Sequence, residues 1–99
     1  MTREIIHERR GEREVKRFAE AMIEKLNEPK NLAKESWNEC HVDYLVYCLW
    51  KEINEVELVL KQKMSCFAST KERKQEILKE CADVANFAMM IADKVGALE

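Results

Sequence analysis

From Pro29 to Gly96 the chain meets neither another proline nor another glycine. The two residue types that most readily end helices and shape tight turns are thus missing from most of the molecule. Across the same span, apolar residues recur every three or four positions, as one buried face of a helix requires. Lys, Glu, Leu and Met, all good helix formers, fill much of the remainder. The sequence therefore predicts an all-α fold. Its 99 residues make one helical domain, 1–99. A domain this small buries a modest core, so an antiparallel helical bundle completed by homo-oligomerisation is expected.

Three helices are legible. The first lies between Thr2 and Glu28, with Val15, Phe18, Ala19, Met22 and Leu26 at helical spacing and Gly11 at its start or at a weak point. Fourteen of the first 28 residues are charged, seven of each sign, which describes a solvated face laced with ion pairs. Asn27, Pro29 and Asn31 end it, and a polar connection carrying Trp37 follows. The second helix runs from His41 or Val42 to about Lys63. The third opens where Ser69 and Glu72 stand at capping-box spacing and closes near Val95, with Gly96 just past its end.

A formal net charge of −2 speaks against a nucleic-acid polymer held by bulk charge. No run of about 18 apolar residues and no leader-like segment is present, so a cytoplasmic chain without a membrane partner is expected. Cys40, Cys48, Cys66 and Cys81 form no C-x-x-C pair, and His7 and His41 complete no zinc set. They read as reduced thiols packed like small hydrophobes.

Four acids break the pattern. With the second helix wound at about 100° per residue, Glu52 falls inside the arc of Leu45, Leu49, Ile53, Val56, Val59 and Leu60, and Glu55 at its edge. On the third helix, Glu80 falls inside the arc of Ile77, Cys81, Val84, Phe87, Ala88, Ile91 and Val95, with Asp83 at its edge. Buried unpaired carboxylates cost several kcal/mol each, of order 3–5. Protonation, basic partners or a divalent cation would each relieve that cost. The residues leave these open, although four hard oxygen donors suit Mg²⁺, with Mn²⁺ possible, better than zinc or copper.

The two motifs, E-I-N-E and E-C-A-D with 56–79 between them, resemble the all-α nucleoside triphosphate pyrophosphohydrolases, the MazG-like superfamily. That group includes dimeric dUTPases, dCTP pyrophosphatases and phosphoribosyl-ATP pyrophosphohydrolases. The segment ECADVANFAMMIAD is similar to a branch of its small members, in which an F-A-x-x-M helix leads to a K-x-x-W connection. FAEAM and KESW keep that order, but Glu35 and Ser36 stand where relatives tend to carry glycines.

The resemblance implies Mg²⁺ held by Glu52, Glu55, Glu80 and Asp83, and hydrolysis between the α and β phosphates of a nucleotide. Glu52 or Glu55 would act as general base. Lys34 is the first candidate for the phosphates, with Arg13, Lys16 and Arg17 behind it, against a surface ion pair as the alternative role of each; Trp37 could stack on a base, or else lid the core. Asn86, three after Asp83, is a candidate for substrate or metal, or else a solvent-facing amide. The third helix, apolar over more than half its circumference with Leu78, Ala82, Ala85 and Met89 added, calls for cover on two sides and hence a homodimer or homotetramer. Trp50 faces away from Glu52 and reads as packing or interface. The rival readings are a non-catalytic oligomer that kept the motif and a sibling hydrolase acting on phosphoribosyl-ATP or a modified nucleotide. An iron-carboxylate bundle is disfavoured, because only Glu4 and His7 supply an E-x-x-H pair.

Overall fold

A computed structural model describes residues 9–28, 37–63 and 70–99. Their regular structure is helical: α1 (Glu12–Leu26), α2 (Val42–Lys63), α3 (Lys71–Lys94) and a 3₁₀ turn at Trp37–Glu39. None of these helices is long and apolar enough to cross a membrane.

Gly11 is the N-cap of α1 at φ 100°, a left-handed geometry that glycine adopts without a Cβ clash. Glu12 and Glu14 follow in the first turn, where the helix dipole favours negative charge. Asn27 caps the other end. Pro29, Asn31 and Ser69 lie outside the described residues. The cap of α3 is therefore one residue later than the spacing of Ser69 and Glu72 suggests. Thr70 is extended, and its hydroxyl accepts from the Arg73 amide at 3.1 Å. Past the end of α3, Gly96 takes φ 81°. The Gly96 amide donates to Asp93 at 3.0 Å and the Ala97 amide to Ala92 at 2.9 Å, which completes a Schellman motif.

α3 is the central helix, packed against both α1 and α2. Met22 meets Asn86 and Lys25 meets Asp83, so α1 runs antiparallel to α3. The 3₁₀ turn just before α2 touches the far end of α3, through Trp37 to Asp93 and Lys94 to the Asn38 carbonyl, so α2 is antiparallel to α3 as well. The two-sided cover expected for α3 is thus supplied within one chain.

The buried set is small: Ala21, Leu45, Val59, Ala82 and Met90, with Lys25 and Asn86 among them. Four expected core positions, Val15, Ile53, Ala88 and Val95, are exposed. Val15 is 67% exposed, because the stripe α1 turns toward α3 is centred on Ala21 and Lys25, not on Met22. Ile53, at the edge of its arc, is exposed too. On α3 the most buried residues are Ala82, Asn86 and Met90, one stripe at four-residue spacing on the side that meets α1. Val84, Phe87 and Ile91 are only half-buried, and Ala88 and Val95 are exposed.

Candidate metal centre

Glu52 comes from the middle of α2, while Glu80 and Asp83 come from successive positions on one side of α3. Where the helices pack, one carboxylate oxygen from each of the three lies within 4.8 Å of the others. All three are partly buried. Two oxygens bound to one Mg²⁺ sit roughly 3–4 Å apart, so small side-chain rotations bring this trio to coordination distance. Glu55 is exposed and does not join the trio, but its charge reaches both Glu52 and Glu80.

The electrostatics agree with crowding. Burial, then repulsion from Asp83, Glu80 and Glu55, raises the pKa of Glu52 above the usual carboxylate value, with Lys25 pulling the other way. Burial and Asp83 raise that of Glu80, again against Lys25. Among the described residues no ion pair reaches Glu52 or Glu80.

Asp83 differs. The Lys25 ammonium lies 3.3 Å from its Oδ2 and 3.3 Å from Glu28 Oε1. Lys25 is only 7% exposed. Burial works against its charge, yet Asp83 and Glu28 outweigh that and raise its pKa above the ordinary lysine value. Among the described residues, Asp83 thus has a basic partner within ion-pair distance, and Glu52 and Glu80 do not. Lys25 was legible in principle. It stands seven after Phe18 and three after Met22, on the apolar stripe of α1, where a lysine is out of place.

The other anticipated residues are dispersed. Asn86 is 4% exposed, and its amide donates to the Met22 carbonyl at 3.1 Å, so its side chain is engaged in packing α1 on α3. Its Oδ1 has no partner among the described residues. Trp37 is half-buried and donates from its indole nitrogen to Asp93 Oδ2 at 2.9 Å. Asp93 is ten residues past Asp83, about 15 Å along α3, so Trp37 does not meet the acids. Lys34 lies outside the described residues. Arg17 pairs with Glu20 at 3.8 Å on the surface. Arg13 lines an open depression with Arg9, Arg10, Gly11 and Glu14, and none of the motif acids borders it. Lys16 is exposed on α1.

No protein-family model, curated protein or solved structure matches this chain. The donor set must then be judged on its own chemistry. Three hard, ionisable oxygens from two rigid helices, crowded enough to raise two pKa values, fit a divalent cation of the Mg²⁺ or Mn²⁺ type.

A pH dependence follows. The raised groups bind protons more readily folded than unfolded, so their ionisation destabilises the fold. As pH falls from neutral toward the ordinary glutamate value near 4.5, that penalty disappears. In chelator, the wild-type melting temperature should gain a few degrees between pH 7 and pH 5 relative to a Glu52→Gln/Glu80→Gln variant. Parallel profiles for the two proteins would contradict the crowding.

Proposed function

We propose that the chain is a Mg²⁺-dependent nucleoside triphosphate pyrophosphohydrolase, releasing a nucleoside monophosphate and pyrophosphate. One observation supports the reading: the gathering of Glu52, Glu80 and Asp83, three of the four acids that the E-x-x-E and E-x-x-D resemblance names, between two packed helices. Glu52, Glu80 and Asp83 would hold the ion. Bound there, it would neutralise the acids and draw charge from the phosphate oxygens.

Glu55 is the better placed general base. It is exposed and outside the trio, yet one helical turn from Glu52. It would take a proton from the water whose oxygen bonds to the α-phosphorus, while the α–β bridging bond breaks and pyrophosphate departs. Lys34 remains the candidate cation for the terminal phosphates.

The same reading includes a homodimer or homotetramer. Tyr44, Val46, Tyr47, Trp50, Ile53 and Leu58 are exposed on α2, on the flank turned away from α3, with Trp50 at 61% and Tyr47 at 59%. An apolar, aromatic-rich face of this kind suits an interface with a second copy. Trp50→Glu should convert the assembly to the 11.7 kDa monomer in light scattering with helicity retained. An unchanged mass would remove α2 from the interface.

The activity is tested by a panel of ribo-, deoxy- and modified nucleotides with Mg²⁺ or Mn²⁺, scoring pyrophosphate against orthophosphate. Pyrophosphate is the expected product. Orthophosphate would contradict the cleavage site, and no release from any nucleotide would favour the non-catalytic oligomer.

A further inference from the structure

We infer that Lys25 is a tethered counter-cation of the acidic centre, which moves off Asp83 onto Glu28 when a divalent ion enters. The inference rests on the metal reading above and adds a control on it.

The ammonium already bridges two carboxylates at equal distance, 3.3 Å to Asp83 and 3.3 Å to Glu28. Only one of them belongs to the trio. Glu28 lies past the end of α1, two residues beyond its last helical position, and its side chain is more exposed than that of Lys25. A divalent ion against Asp83 would repel the ammonium with twice the force of a single charge at the same distance. The lysine stem is flexible and its head carries three donors, so it can give up one oxygen and keep another. Moving wholly to Glu28 gives up the contact with Asp83 and retains the one with Glu28.

This arrangement has a consequence in each state. Without metal, Lys25 offsets part of the repulsion at the trio and ties α1 to α3. With metal, its charge must be moved aside, so it lowers affinity. Lys25 and Glu28 therefore act with opposite signs on metal binding, and Glu28 acts through Lys25.

The test is calorimetric titration of Mn²⁺ into the full chain, with circular dichroism to check that each variant is folded. Lys25→Met should tighten Mn²⁺ binding about tenfold. Glu28→Gln should weaken it several-fold in the wild-type background and leave it within about twofold in the Lys25→Met background. Wild-type affinity retained in Lys25→Met, or an equal effect of Glu28→Gln in both backgrounds, would overturn the exchange role while the metal site stands. Binding only after Lys25 is removed would support the role of Lys25 and contradict the metal-dependent activity. Absence of binding in every protein would overturn both. Should Lys25→Met fail to fold, Glu28→Gln alone decides: weaker Mn²⁺ binding supports the exchange, and unchanged binding refutes it.

Discussion

Glu52→Gln is expected to lower Mg²⁺-dependent pyrophosphate release at least about a hundredfold and, in the same protein, to stabilise the metal-free fold. The substitution keeps shape and removes one charge. Glu52 is partly buried and has no ion pair among the described residues. Asp83, Glu80 and Glu55 all repel its charge. Its ionisation therefore costs the fold something that Lys25 offsets in part and a bound ion would offset further. For an ordinary half-buried side chain, replacement is neutral or destabilising. A chelator-treated melting curve checks the second effect, and initial-rate assays check the first. Full activity in a folded variant would remove Glu52 from the site, and a lower melting temperature would show that its charge had been compensated.

Asp83→Asn should cost the activity as heavily, but with the opposite effect on stability. Asp83 is the trio member that already has a basic partner. Removing its charge leaves Lys25 buried with one acceptor fewer, and stranding a buried cation is strongly unfavourable. Glu28 remains to hold the ammonium, so the loss should be about 1–3 kcal/mol, less than for a fully isolated charge. Urea unfolding with an unchanged slope and a lowered midpoint is the expected result. If Glu52→Gln and Asp83→Asn shifted the midpoint in the same direction, Lys25 would not be distinguishing the two acids.

The helices were readable because period and punctuation agree. Apolar residues at three- and four-residue spacing set α1, α2 and α3, and Asn27 and Gly96 stop α1 and α3, while α3 is capped by Thr70, one residue after the Ser69 that the spacing suggests. Periodicity says which residues share a face, but not which neighbour that face meets or how far it is rotated. Val15 and Ile53 show the limit. Each lies on an apolar arc and each is exposed, because neighbouring helices cover only part of that arc.

Glu52, Glu80 and Asp83 were legible for the reverse reason, as acids where the period demands apolar residues. Lys25 broke the same rule on α1 and was lost among the many charges of the first 28 residues, where a lysine reads as one more surface ion pair. Nothing local to Asn86 marks it as a packing amide. Its partner, the Met22 carbonyl, is 64 residues away in sequence, and Trp37 and its partner Asp93 are 56 apart.

The central claim is that carboxylates from α2 and α3 converge on one divalent cation. Anomalous diffraction from crystals grown with Mn²⁺ tests it most directly. The account predicts a peak about 2 Å from oxygens of Glu52, Glu80 and Asp83, with the Lys25 ammonium withdrawn to Glu28. Manganese absent from that position, with Lys25 still seated against Asp83, would contradict it.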